Sequence, residues 1–98
     1  MSAYILKPNG ERIDVVPQAR GTELNPKTFH YTELQDIVGG YIEIVGLTEE
    51  VLMVVDEEGK FKDYDFNPAA TEIFRKCFPK SNDFIVGPVV VCSSDMIE

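Results

Sequence analysis

The sequence of 98 residues contains no tryptophan, one histidine and two cysteines. A single histidine excludes a zinc site built from several imidazoles, and the common motifs of hydrolases, redox proteins and phosphate-binding loops are missing. No apolar run approaches the ~18 residues of a membrane-spanning helix, and the first residues do not have the pattern of a secretory signal. We therefore expect a cytoplasmic protein that is not an enzyme, holds no cofactor or metal and does not enter a membrane.

Basic residues are also scarce, with nine Lys and Arg against seventeen Asp and Glu, a net charge of -8 and a pI near 4.5. Direct nucleic-acid binding is disfavoured because phosphate groups are neutralised by a surplus of cations. Hydrophobic residues make up 44% of the chain and aromatic residues 10%, which is too many for a disordered acidic tail. One folded domain over residues 1–98 is the expected organisation.

The acidic charge is concentrated in one segment, residues 43–72, which holds nine acidic residues and two lysines and so carries seven of the eight net negative charges. Adjacent strands and a following helix would present this charge as one acidic face. An acidic face attracts basic partners. The candidate protein-contact residues are Glu49, Glu50, Asp56, Glu57, Glu58, Asp63, Tyr64 and Asp65.

The first part of the chain predicts a hairpin and a loop. Residues 3–6 and 12–16 are β-prone and flank a Pro-Asn-Gly turn. Residues 17–28 have no hydrophobic period and contain two prolines, which indicates a surface loop.

A short helix is predicted over residues 31–38, where Leu34, Ile37 and Val38 share one face. Two N-caps compete. His30 would allow a hydrophobic staple between Phe29 and Leu34, whereas Thr32 would form a capping box with Gln35. The glycines at 39 and 40 end the helix.

The second part of the chain predicts three further strands and a helix. Residues 41–45 and 51–55 are strand-like, with Ile42 and Ile44 on the expected core face, and a short strand is predicted at 60–62. Asn67 is the predicted N-cap of a helix with Pro68 at its first position. Residues 84–92 form an apolar, central strand that Gly87-Pro88 interrupts.

These elements follow the order β-β-α-β-β-(β)-α-β, which predicts the α+β class. We expect a small sheet of 4–6 strands, mainly antiparallel or mixed, with two short helices packed on one face.

Four stretches of the sequence carry a recognisable pattern. The most specific is V-G-G-Y-I-E at residues 38–43, and the others are Met53 to Lys60, Asn67 with Ala70-Thr71-Glu72, and Ile85 to Val91. In these residues the chain resembles the domain of unknown function 3846, a family of phages, plasmids and integrated elements of gut bacteria. The resemblance covers nearly the whole chain. It implies a cytoplasmic accessory protein of a mobile element and brings no catalytic residues with it.

Two acidic patterns have some features of cation sites. Asp63, Asp65 and Asn67 have the D-x-D-x-N opening of a calcium loop, but Pro68 and Phe74 occupy the positions that need glycine and a bidentate glutamate. The cluster at residues 56–58 is better explained as a charged hairpin tip than as a magnesium site. No metal site is predicted.

Cysteine and histidine have ordinary structural interpretations. Cys77 and Cys92 fall on apolar stripes and are expected to be buried free thiols, although a disulfide between them is not ruled out by the sequence. His30 is expected at a helix start.

A ligand site is the alternative use of the surface. Tyr41 and Glu43 share a face of the predicted strand and could hold a ligand by stacking and hydrogen bonds, while Arg12 and Arg20 could supply cations for a phosphate. The aromatic residues near element ends are either anchors or a protein-contact patch: Phe29, Tyr31, Tyr64 and Phe66.

Two functions are therefore expected as alternatives. The first is a non-enzymatic acidic interaction protein that binds a basic surface of a host defence or regulatory protein. The second is a binder that sequesters a small nucleotide, as a homo-oligomer with a shared pocket.

Overall fold

The computed structural model describes residues 3–97. Within this range the chain forms one five-stranded sheet and two α-helices, which confirms the predicted α+β class. The elements are β1 Ala3–Leu6, β2 Arg12–Asp14, α1 Tyr31–Val38, β3 Ile42–Gly46, β4 Val51–Asp56, α2 Pro68–Cys77 and β5 Val89–Ser93. Residues 15–30 contain neither a helix nor a strand, as the composition of the 17–28 loop predicts.

The sheet has the order β2-β1-β5-β4-β3, and every neighbouring pair is antiparallel. β5 lies at the centre, as its apolar sequence predicts. The strand starts only at Val89, because Gly87 adopts a φ of 73° and Pro88 has no amide hydrogen for a ladder. The short strand predicted at 60–62 is wrong. A 3-10 helix at Gly59–Phe61 takes its place, and the Phe61 amide donates to the Glu58 carbonyl.

The two helices lie on opposite faces of the sheet, so the expectation that both pack on one face is wrong. Leu52 and Val54 of β4 belong to the hydrophobic cluster beneath α1, whereas Met53 and Val55 belong to the cluster beneath α2. Side chains alternate between the faces of a strand, so a strand that is apolar at successive positions requires a cover on both sides.

The N-terminus of α1 decides between the two predicted caps in favour of His30. Its ring Nδ1 accepts a hydrogen bond from the Thr32 amide at 3.2 Å, and Glu33 Oε1 accepts from the His30 amide at 3.1 Å. These two bonds form a capping box. Its second residue, whose side chain accepts from the backbone of the N-cap, is Glu33 and not the Gln35 of the alternative prediction. Phe29 and Leu34 are buried in the same cluster, as the staple predicts.

Asn67 caps α2 as predicted, and its side chain also holds two other segments. Its Oδ1 accepts from the Ala70 amide at 3.0 Å, while Nδ2 donates to the carbonyls of Leu6 at 3.1 Å and Gly87 at 2.8 Å. The residue is completely buried. One side chain therefore joins the helix start to β1 and to the segment before β5.

The two cysteines are free and lie in different layers. Cys92 is buried in the cluster beneath α1, and Cys77 is half-buried on α2, on the other side of the sheet. The fold therefore excludes a disulfide between them. Burial, with a smaller effect of the Asp95 charge, raises the pKa of the Cys92 thiol to about 11.

We predict that native Cys92 resists alkylation at pH 8, because little thiolate forms and the side chain is covered. Mass spectrometry after a short iodoacetamide pulse should find Cys77 labelled before Cys92. In denaturant both should be labelled at similar rates. Equal labelling in the native protein would contradict the burial of Cys92.

Candidate functional site

A buried carboxylate lies at the end of β4. The side chain of Asp56 is only 2% exposed. Its Oδ2 accepts hydrogen bonds from Lys62 Nζ at 2.7 Å and from the Tyr64 hydroxyl at 3.0 Å, and its Oδ1 accepts from the Glu58 amide at 2.9 Å. A buried charge with three donors is well compensated.

The same groups complete the C-terminus of α1. The Tyr64 hydroxyl is also 3.0 Å from the Val38 carbonyl, so its one hydrogen is shared between two acceptors. Lys62 Nζ donates to the Gly39 carbonyl at 3.1 Å. Donors at this position satisfy carbonyls that have no partner inside the helix, and a cation there favours the helix dipole.

Electrostatics keep these three side chains in their usual charge states. Burial alone would raise the pKa of Asp56, but the hydrogen bonds from Lys62, the Glu58 amide and Tyr64 lower it below its ordinary value. The hydrogen bond to Asp56 raises the pKa of Lys62. Burial, and then the neighbouring Asp56, raise the pKa of Tyr64. These directions favour an ion pair that supports structure over a proton-transfer site.

Glycines allow the backbone to approach this network. Gly39 has a φ of 92°, and a Cβ there would overlap the Tyr64 hydroxyl. A Cβ on Gly40 would lie 2.8 Å from Asp56 Oδ2, and one on Gly87 would lie 2.9 Å from Tyr64 Cδ2. The glycine pair thus does more than end a helix.

An open groove of about 270 Å³ lies on the α2 face, beside β3 and β4. Val45 and Val55 are among the residues of its floor, and aromatic rings form much of its walls. Phe61 is 90% exposed and is the most prominent of them. The aromatic and charged lining residues are Phe61, Phe74, Phe84, Glu43, Asp56, Glu57, Lys60 and Asp83.

The charged rim of this groove is unevenly compensated. Lys60 forms an ion pair with Asp83 and lies 4.6 Å from the centre of the Phe84 ring. Glu43 and Glu57 form no ion pair with any residue in the range 3–97. The groove is therefore largely apolar, with two carboxylates at its rim that have no ion-pair partner among the described residues.

The acidic residues do not form the single face that we expected. Glu49 and Glu50 lie in the turn between β3 and β4, whereas Glu57 and Glu58 follow the other end of β4. Those ends are roughly 17–20 Å apart, the length of a six-residue strand. Asp63 and Asp65 are exposed after the 3-10 helix, on the Glu57 side. Asp56, another predicted contact residue, is buried and paired.

Residues 3–98 match the sequence model of the family described as Domain of unknown function (DUF3846). The chain belongs to the DUF3846 family. No match was found among curated proteins or among solved structures. The description of DUF3846 names no activity, so function has to be inferred from the site. The glycine pair and the Asp56 end of β4 belong to the stretches that carried the sequence resemblance, and in this DUF3846 chain they meet in one network.

The four predicted ligand residues are not brought together in this DUF3846 chain. Tyr41 is 69% exposed and lines a shallow polar depression with Lys62, whereas Glu43 lines the groove. Arg12 lies 3.7 Å from the centre of the Tyr4 ring and pairs with Asp14 on β2. Arg20 contacts Glu23 and Thr28 in the loop.

The predicted aromatic contact residues are also dispersed. Phe29 is buried, Tyr64 belongs to the Asp56 network, and Tyr31 and Phe66 are exposed at the starts of different helices.

Residues 3–97 were searched for clusters of metal ligands and for membrane-spanning helices. No group of three or more metal-ligating side chains lies in that range. In the D-x-D-x-N segment, the side chain of Asn67 caps α2. No helix of the described range is long and apolar enough to cross a bilayer.

The Asp56–Lys62–Tyr64 network was missed by the sequence analysis, which treated these residues as exposed or as anchors. The glycine pair was the available signal. Gly39 alone suffices to end the helix, so Gly40 indicated a position where another part of the chain approaches the backbone closely. Nothing in the sequence named the partners of that contact.

Proposed function

We propose that this protein is a non-enzymatic binding module that attaches stoichiometrically to a basic surface of another protein. The observation that carries the proposal is the groove beside β3 and β4, where an apolar lining is bordered by carboxylates without ion-pair partners within residues 3–97. Apolar contact surrounded by complementary charge is the usual composition of a transient protein interface.

Both lysines of the acidic segment are already paired. Lys60 is bound to Asp83 and Lys62 to Asp56, and within residues 3–97 neither forms an ion pair with Glu57, Glu58, Asp63 or Asp65. The negative potential at this end of the molecule is therefore directed to solvent, where it accelerates encounter with a basic partner.

The family resemblance supports the biological setting of the proposal. It implies a protein of a phage or other mobile element that acts in the bacterial cytoplasm. We propose a defence or regulatory protein of the host as the class of partner, with its basic DNA-binding surface as the contact.

Sequestration of a nucleotide has less support from the same geometry. A phosphate requires converging cations, yet the groove presents Glu43 and Glu57, and its one lysine is paired with Asp83. Arg12 and Arg20 lie on β2 and in the loop, where each contacts an acidic neighbour.

The test compares two charge-reversed variants. E57K/E58K changes the end of the hairpin beside the groove, and E49K/E50K makes the same change of charge at the other end. We expect a basic partner captured from bacterial lysate at low salt to bind wild type and E49K/E50K, and to bind E57K/E58K at least ~10-fold more weakly. Quantitative mass spectrometry of parallel captures measures the difference.

The capture also has outcomes that contradict the proposal. One is the absence of any partner in near-stoichiometric amount. The other is an equal loss of binding in both variants, since that would show a response to net charge alone rather than to the groove. Circular dichroism of each variant checks that the fold is retained.

A further inference from the structure

β3 forms one end of the sheet, and no strand within residues 3–97 pairs with its outer edge. The Glu57 amide donates to the Tyr41 carbonyl at 2.8 Å, and the Leu47 amide donates to the Val51 carbonyl at 2.9 Å. These bonds fix which residues face β4, because the direction of the backbone groups alternates along a strand. The amide and carbonyl groups of Ile42, Ile44 and Gly46 consequently point away from the sheet.

This edge has few of the features that protect sheet edges. The opposite edge, β2, is only three residues long and carries Arg12 and Asp14. β3 has five residues, contains neither lysine nor proline, and has Glu43 as its one charge. Ile44 is 47% exposed. Natural proteins usually shorten, charge or cover an edge strand, so an unprotected one indicates a place of attachment.

The groove lies directly beside this edge. Glu43 and Val45 direct their side chains to the α2 face, where both line the groove, while Ile44 lies on the other face. A strand added to β3 in antiparallel orientation would place a side chain opposite each of these residues. From its N-terminus, the segment that would complement β3 has an apolar residue opposite Val45, an apolar residue opposite Ile44 and a basic residue opposite Glu43.

We propose that an extended segment of the partner adds to the outer edge of β3, with a basic side chain at Glu43 and an apolar side chain at Val45 over the groove. This inference rests on the proposed function and specifies its binding mode. Main-chain hydrogen bonds supply affinity in such strand addition, and the alternate side chains supply specificity.

A second copy of this chain is a poorer occupant of the same edge. If two β3 strands paired about Ile44, Glu43 of one copy would face Val45 of the other, and no cation would meet either carboxylate. Each copy also brings a net charge of -8. Like charge opposes this pairing and favours a basic partner.

The experiment uses an acetylated and amidated peptide in which two valines are followed by an arginine, with threonines on both sides. Amide hydrogen exchange of the whole protein is measured by NMR with and without the peptide. We expect the amides of Ile42, Ile44 and Gly46 to exchange rapidly in the free protein and roughly tenfold or more slowly when the peptide is bound.

Two matched controls test the side-chain contacts. Replacing the arginine of the peptide with glutamate should abolish binding, and the Glu43→Gln variant should bind the original peptide about fivefold more weakly.

A third control tests the main-chain hydrogen bonds. A peptide whose amides are methylated on the edge that meets β3 should not bind, because it cannot form the hydrogen bonds of a β-ladder.

The inference is overturned if the peptide does not bind, or if it binds and leaves these three amides unprotected. It is also overturned if they are protected in the free protein and sedimentation shows a dimer, since a second copy would then cover the edge. A basic partner that is lost in E57K/E58K while the edge amides remain unprotected would leave the proposed function standing without this binding mode.

Discussion

Changing Gly39 to alanine should lower the free energy of unfolding by about 3 kcal/mol. The residue has a φ of 92°, which strains any side chain, and the new Cβ would overlap the hydroxyl oxygen of Tyr64. That hydroxyl cannot move away without leaving Val38 and Asp56. Urea denaturation followed by circular dichroism measures the loss.

Two comparisons separate the backbone effect from the steric one. Gly10 has a similar φ of 89°, and a Cβ there would have nothing within 4 Å, so Gly10→Ala should lose only about 1 kcal/mol. Tyr64→Phe removes the overlapping oxygen, and the nearest ring carbon is then 3.5 Å from the Cβ of residue 39. The double variant should therefore be more stable than the sum of the two single changes predicts. Strict additivity, or equal losses at Gly10 and Gly39, would contradict the contact.

The second large effect is expected at Asp56. The Asp56→Ala variant should lose about 2 kcal/mol, because the Glu58 amide loses its acceptor and the Tyr64 hydroxyl keeps only the Val38 carbonyl. The loss is smaller than for a fully buried ion pair, since Lys62 is 39% exposed and can turn to solvent. Asp63→Ala, at an exposed residue without these bonds, should change stability by less than ~0.5 kcal/mol. A loss at Asp63 equal to that at Asp56 would show that the network is not the cause.

Acid should remove the Asp56 contribution. Its folded-state pKa lies below the ordinary value of 3.8, so the stabilisation is fully present above that value and disappears as the pH falls through the folded pKa. Asp56→Asn does not titrate. The difference in stability between wild type and Asp56→Asn should be constant from neutrality to about pH 4 and shrink in more acidic solution. A difference that stays constant down to about pH 2 would contradict the ionised pair.

Local sequence patterns determined the elements whose contacts are close along the chain. The turn of the β1–β2 hairpin, the glycine stop at Gly39 and the Asn67 cap of α2 all depend on neighbours within about four residues. Such interactions are encoded by residue type and spacing. The start of α1 was predicted only as a choice between His30 and Thr32, which the structure decided for His30. The same reasoning failed at residues 60–62, where a short turn with its own hydrogen bonds replaced a strand.

Other features depend on which distant segments meet. The sequence located the acidic charge in residues 43–72 but could not show that β4 separates it into two ends, because that depends on the hairpin geometry.

By itself, then, the sequence determined the α+β class, the order of the two helices and five strands, the Asn67 cap of α2 and the scarcity of cations. Only the tertiary structure decided that the helices cover opposite faces, that Asp56 is buried against Lys62 and Tyr64, and that β3 has an open edge beside an apolar groove. The reason is physical. Periodicity states which side of an element is apolar, but the choice of what covers that side is made by packing between residues far apart in the chain.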